Sequence, residues 1–284
     1  LERPPMFTSR AEGLALTLPA AVFAAALFLL PVGILLSEAF RDPQGGWTLM
    51  GYWEFFSSGR NQTVFLRSLT LAAEVTAVAA VIGYAAAYSI VTLPKTARGR
   101  VFGLVILPLM ISPVARTYAW LVILGRTGFV NEALVGLGIV DSPLRILFTE
   151  TAVFIGLLQL FLPLMVIALV SAMENMPRDA IPAARVLGAN WAQVFVKVIL
   201  PLTREGLVIG GTLVFTGSLT AYITPAILGG SKVLMLETLL YQRVTVANDF
   251  VSASVIAMIL IVMSFSANLL LKRMATARRS RAAA

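Results

Sequence analysis

Two charged residues lie deep within apolar runs: Glu74 in Leu71-Ala-Ala-Glu-Val-Thr-Ala77, and Arg116 in Ile111-Ser-Pro-Val-Ala-Arg-Thr-Tyr-Ala-Trp120. A charge in such surroundings costs about 2.5–3.5 kcal/mol on membrane-insertion scales, so it faces a protein interior or a wet cavity. At about 1.5 Å of helical rise per residue the two reach similar depths. They can therefore pair with one another, Arg116 can snorkel outward, or Glu74 can help to form a path for a cation. A third polar patch is Thr216, Ser218, Thr220, Tyr222 and Thr224, followed by Pro225. Hydroxyls at this density either bond one helix to another or line a passage broken at Pro225, a candidate gate hinge. Tyr84 and Tyr88, one helical turn apart, either pack or offer aromatic faces to an organic cation. Gln159 is the single strong polar group of its run and reads as interhelical glue or as part of the same lining.

This is the chemistry of holding and passing a solute, not of making or breaking bonds. The chain contains no His and no Cys. Thiolate nucleophiles, Cys/His zinc sites, Ser-His-Asp triads and disulfides are thereby excluded. No clustered acid pair offers general acid–base work, and no catalytic residue, metal site or cofactor is expected. Gly229-Gly230-Ser231-Lys232 lacks the spacing of a phosphate loop, so nucleotide chemistry is expected on another chain.

The elements that position these residues follow from composition. The chain has 284 residues, 58% hydrophobic and 13% charged, with a mean hydropathy of +0.88, whereas a soluble domain carries about 25% charged residues. Six apolar runs, at residues 14–40, 64–93, 101–124, 151–173, 207–228 and 251–271, are long enough to cross a hydrocarbon core of about 30 Å as helices. They show neither a sustained polar face nor the alternation of transmembrane strands. An all-α membrane protein with six transmembrane helices is predicted, and the first run reads as a retained helix because it is too long for the core of a signal peptide.

An even number of spans puts both ends on one side, and the positive-inside rule identifies it. Arg3, Arg10, Lys95, Arg98, Arg100, Arg178, Arg185, Lys197, Arg204, Lys272, Arg273, Arg278, Arg279 and Arg281 fall on that side, fourteen of the 22 basic residues. Both termini are expected to be cytoplasmic in a multi-pass membrane protein. The net charge of +8 then reflects topology, and no nucleic-acid partner is implied. The organisation expected is an N-terminal arm, first helix and external loop over 1–63, a transmembrane core over 64–271, and a basic tail over 272–284. The outer loop over 41–63, with Pro43, Gly45, Gly46, Trp47, Tyr52, Trp53, Phe55 and Phe56, suits an interfacial position, and the stretch 129–140 is mildly amphipathic.

The loop after the fourth run is different. Pro177 can open a helix and Gly188 can close it in the left-handed conformation. Asn190 and Gln193 have capping-box spacing, so a second helix is expected to start near Trp191 and to end before Pro201. On it Val194, Phe195 and Val198 make an apolar face while Gln193 and Lys197 point elsewhere. A helix, a glycine corner and a helix outside the bilayer suggest a docking knob.

Ala183-Ala184-Arg185-Val186-Leu187-Gly188-Ala189, followed by Val198-Ile199-Leu200-Pro201-Leu202, resembles the EAA loop of the permease subunits of binding-protein-dependent ABC importers. Leu107-Pro108-Leu-Met-Ile-Ser-Pro113, Arg116-Thr-Tyr-Ala-Trp120, Gly128-Phe-Val-Asn131, Leu162-Pro163-Leu164 and Thr224-Pro-Ala-Ile-Leu-Gly-Gly230 are similar to the spermidine/putrescine branch of that family. The similarity covers about residues 64–271 and is specific as a set. One departure stands out: Pro182 occupies the place of the usual Glu. Either the coupling helix starts at Pro182, or it starts at Pro177 and kinks.

The resemblance implies a type I ABC importer permease fold with a cytoplasmic coupling-helix loop carried by Ala183, Ala184, Arg185, Gly188, Ala189, Leu200 and Pro201. It implies alternating access and a homologous permease subunit, the pair forming a heterodimer. It further implies a cytoplasmic ABC ATPase dimer that hydrolyses ATP, a periplasmic substrate-binding protein and a polyamine as cargo. Related branches carry thiamine, opines, phosphonates or ferric iron. The competing reading from the residues, an ion-coupled secondary transporter, would favour inverted repeats with matching buried carboxylates, and these are not seen.

Overall fold

A computed structural model describes residues 10–41, 46–177 and 179–276. Arg3, Arg178, Arg278, Arg279 and Arg281, on which part of the charge argument rests, and Pro43 and Gly45 of the outer loop lie outside the described residues. The helices are α1 (Arg10–Glu38), α2 (Met50–Ser57), α3 (Gly59–Thr92), α4 (Lys95–Met110), α5 (Pro113–Ile123), α6 (Phe129–Gly136), α7 (Glu150–Glu174) and α8 (Ala180–Val186). They continue as α9 (Trp191–Leu202), α10 (Arg204–Leu219), α11 (Leu236–Thr245) and α12 (Phe250–Thr276). Among the described residues there is no strand, only an isolated bridge between Arg41 and Trp47.

Four helices are individually long and apolar enough to cross a membrane, over Thr17–Glu38, Gly59–Thr92, Glu150–Glu174 and Phe250–Arg273. Two further spans are reached when the bent pairs α4 with α5 and α9 with α10 each count as one, giving up to six. The third apolar run is thus not one continuous helix. α4 begins at Lys95 and ends at Met110, and α5 departs at 95°. Pro113 explains the break: its ring disfavours helical backbone at the preceding residue, and Ser112 is extended at φ −50° and ψ 131°. The fifth run also differs from expectation. α10 starts at Arg204 after a 72° turn and ends at Leu219. The chain then re-coils into a π turn over Pro225–Gly229, which Gly230 ends at φ +56°. Pro225 opens this turn, so the break lies before the proline and not at it.

The chain divides into two compact units, residues 1–58 with 240–258, and residues 59–239 with 259–284. In the first, the Thr48 amide donates to the Phe40 carbonyl at 2.8 Å, and the Phe40 and Tyr52 rings lie 5.7 Å apart. Arg243 and Asp249 pair at 3.5 Å. The apolar window of α1 buries no residue.

In the second unit α3, α7 and α10 pack together around Val75, Leu157, Met165, Leu169 and Val214. Their close approach depends on missing side chains. A Cβ at Gly206 would fall 2.5 Å from Ala172 Cβ and 2.7 Å from the Ala168 carbonyl oxygen, and one at Gly210 would fall 2.7 Å from Met165 Sδ. Small residues spaced four apart let helix backbones touch in a membrane, where lipid removes most of the hydrophobic drive. At the end formed by Gly59 and Glu150, Arg67 Nε donates to Glu150 Oε1 at 2.6 Å and Nη1 to the Leu234 carbonyl at 3.3 Å, while the Leu236 amide donates to Ser68 Oγ at 2.8 Å. Asn131 on α6 is buried and pins its loop by bonds to Gly125 O, Leu144 O and Leu144 N.

Candidate functional site

The loop between α7 and α10 is a structured hairpin, and local chemistry specifies most of it. Asp179 stands immediately before α8 without a side-chain capping bond, which places Pro182 third in the helix. A backbone N–H at that position has no intrahelical acceptor, so the proline removes no bond. The helix therefore starts at Ala180, between the two starts expected, and needs no kink. At its other end the Ala189 amide donates to Ala184 O at 3.1 Å and the Gly188 amide to Arg185 O at 3.0 Å. This is the double closure of a Schellman motif, with Gly188 in the left-handed region at φ +82°. Ala183 and Arg185 face outward, while Ala184 and Ala189 pack on the core. Val186 and Leu187 project at the corner, 88% and 87% exposed.

The second arm begins with the expected capping box: the Gln193 amide donates to Asn190 Oδ1 at 2.9 Å and the Asn190 amide to Gln193 Oε1 at 3.0 Å. It does not stop before Pro201. A π segment over Phe195–Ile199 widens the coil, and helix resumes through Leu200-Pro201-Leu202. Leu200 packs on the core and Pro201 is exposed. Thr203, buried at the 72° corner, donates its hydroxyl to Ile199 O at 2.7 Å.

Tyr84 and Tyr88 belong to this hairpin. The Tyr88 ring lies 5.0 Å from that of Trp191 and the Tyr84 ring 5.3 Å from that of Phe195, both edge to face. Tyr84 Oη lies 3.1 Å from Thr203 Oγ1. The Arg185 guanidinium carbon sits 5.5 Å from the centroid of the Trp191 ring. The structure thus sets these rings against the loop. Thr203 gave no sequence signal, whereas Gly206 and Gly210, equally overlooked, show small-residue spacing.

The other candidates lie apart from the hairpin. Glu74 is exposed on α3, while Arg116, in the first turn of α5, is only 9% exposed. Arg116 Nε and Nη1 are buried without a hydrogen-bond partner, and neither residue joins an ion pair among the described residues. The pairing inferred from equal depth does not form, because the two side chains take opposite exposures. Gln159 accepts from Trp120 Nε1 at 3.4 Å, linking α7 to α5. Thr220 returns its hydroxyl to Thr216 O at 2.9 Å, Ser218 is buried with its Oγ unpartnered, and Tyr222 is half-buried just after the break. Thr224 meets Thr117.

A helical bundle with two broken spans and a capped hairpin between its central helices narrows the comparison. Residues 79–280 match the family described as binding-protein-dependent transport system inner membrane component. The chain belongs to this family. It is 34% identical over 233 residues to the spermidine/putrescine transport system permease protein PotB of Haemophilus influenzae, covering 80% of this chain and 81% of that one. Against the protein of the same name from Escherichia coli it is 36% identical over 173 residues, covering 61% of this chain and 63% of the relative, a little under two thirds of its length. In fold it is similar to a chain of a bacterial ABC transporter involved in import of the acidic polysaccharide alginate, with a TM-score of 0.78 over 95% of this chain and 96% of that one. At 18% identity that likeness concerns the fold, which is that of an ABC importer permease. This is a multi-pass, inner-membrane permease component.

Proposed function

We propose that this permease is one of two membrane-spanning subunits of an ATP-driven importer, pairs with a homologous subunit, and carries a polyamine of the spermidine or putrescine kind. A periplasmic binding protein delivers the solute, and a cytoplasmic ATPase dimer, carried on separate chains, hydrolyses ATP. Both termini face the cytoplasm. The observation that supports this reading best is the hairpin corner. Val186 and Leu187 are two large apolar side chains almost wholly exposed at a corner that is closed by its own backbone hydrogen bonds. Apolar side chains held rigidly at such exposure are the anchors that fill a pocket on a partner chain. The likeness to the two polyamine permeases supports the solute class.

In this reading the pathway is lined by Arg116, Thr216, Ser218, Thr220 and Tyr222, in or just after the broken spans, with Glu74 of α3 and Gln159 of α7 as further candidate polar groups. Unwound backbone is tolerated at membrane depth where it lines a cavity or is buried in protein. The experiment is reconstitution. The permease pair, the ATPase and the binding protein in vesicles should take up spermidine only with ATP, and Leu187→Asp should lose co-purification with the ATPase while the permease still folds. Uptake by the permease alone without ATP would replace this reading with an ion-coupled transporter.

A second reading, an importer for an anionic or zwitterionic solute such as a phosphonate, is favoured by the buried, unpaired guanidinium of Arg116. Calorimetry of the cognate binding protein with each solute class separates the two.

A further inference from the structure

α9 is continuous in sequence with α10, yet the two axes turn by 72° at Thr203, and the π segment over Phe195–Ile199 interrupts the helix before the corner. A displacement along the hairpin is therefore not collinear with α10. Along its flank, by contrast, α9 is fastened to α3. Trp191 and Phe195 are four residues apart, as are Tyr88 and Tyr84, so each pair forms a row along one helix face. The rows meet antiparallel, Trp191 on Tyr88 and Phe195 on Tyr84. The Tyr84 hydroxyl then bonds Thr203, so one α3 residue holds both the middle and the end of α9. At the other end, Arg185 over the Trp191 ring ties α8 to the same stack. The chain of contact runs from beside the exposed corner, through Trp191, to a helix more than a hundred residues away in sequence.

We propose that Tyr84 and Tyr88 are positioning residues that clamp the hairpin to α3, so that displacement of the hairpin enters the packed helices α3, α7 and α10 through this clamp and not only through the 72° corner. Closely packed interfaces shift as bodies and do not deform continuously. A hairpin clamped at three points therefore carries α3 with it when a partner moves the corner. This rests on the importer reading above, because it assigns the route by which ATPase motion would reach the spans.

The chain has no cysteine, so a pair introduced at the clamp is the only thiol pair in this subunit, and the same reagent on the complex with the unmodified permease is the control for thiols of the other subunits. In proteoliposomes with ATPase, second permease and binding protein, the Tyr88→Cys/Trp191→Cys variant should still hydrolyse ATP, while spermidine taken up per ATP falls by about tenfold, within the usual range of coupling between sites. A short bifunctional thiol reagent that bridges the two cysteines should restore uptake per ATP. Tyr84→Phe, which removes only the hydroxyl bonded to Thr203, should lower the same ratio by a smaller factor at unchanged yield of the complex. The proposal is overturned if the unbridged variant keeps the parent's uptake per ATP, or if bridging stops uptake. A failed importer reading looks different: the unmodified complex would show no ATP-driven uptake.

Discussion

Thr117 Oγ1 lies 3.3 Å from Thr224 Oγ1, joining α5, the second half of one broken span, to the residue that leads into the π turn after α10. Both side chains are buried. The helix that follows the Pro113 break is thus bonded through hydroxyls to the segment that re-coils after α10. Interhelical bonds of this kind contribute about 0.6 kcal/mol on average in membrane proteins. A cycle of Thr117→Val, Thr224→Val and the double variant should give a coupling of about that size by denaturation in detergent. A coupling of zero would mean that each hydroxyl finds another partner.

The glycines of α10 should separate sharply. At Gly206 an added methyl meets the Ala168 carbonyl, which cannot rotate away, whereas at Gly211 the nearest atoms are at 3.8 Å. Overpacking of this kind costs about 1–3 kcal/mol. Gly206→Ala should lower the melting temperature in detergent clearly, and Gly211→Ala should leave it unchanged or raise it. Equal effects would show that α7 and α10 can separate freely.

Arg116 carries a charge that the folded chain does not neutralise, its Nε and Nη1 being buried without partners. An uncompensated buried charge destabilises the state that encloses it. Arg116→Met keeps the bulk of the side chain and should raise the thermal stability of the isolated permease. A fall in stability would reveal an acceptor within the folded chain.

Glu237, in the first turn of α11, has its carboxyl pushed above the ordinary carboxylate range by burial. A carboxyl whose folded pKa is raised contributes stability that is complete below the unfolded value, about 4.3, and is lost as pH rises through the folded value. Glu237→Gln should therefore be more stable than the parent at neutral pH and indistinguishable from it in acid. Melting curves across that range check the sign, and a variant less stable at neutral pH would contradict it.

Much of the hairpin was legible in the sequence because its determinants are neighbours along the chain. Gly188 closes α8 by its own backbone conformation, and Asn190 and Gln193 satisfy each other's amides within one turn. The six apolar runs were legible for a similar reason, since composition over some twenty residues decides whether a segment prefers lipid. Direction was not. Hydropathy reads residues 101–124 as one segment, while a single proline at 113 turns its axis by 95°.

Depth follows from residue count only along a straight helix, and the 95° bend before Arg116 removes the basis for setting it level with Glu74. Azimuth does not follow from residue count at all, and packing turned Glu74 outward and Arg116 inward. The clamp of Tyr84 and Tyr88 on Trp191 and Phe195 was beyond any local reading, because its partners lie about a hundred residues apart and meet only once α3 and α9 are side by side. Short-range hydrogen bonding and lipid preference were thus settled by the amino-acid order alone. Which polar groups meet was decided by tertiary packing, including the close approach of α10 to α7 that Gly206 and Gly210 allow.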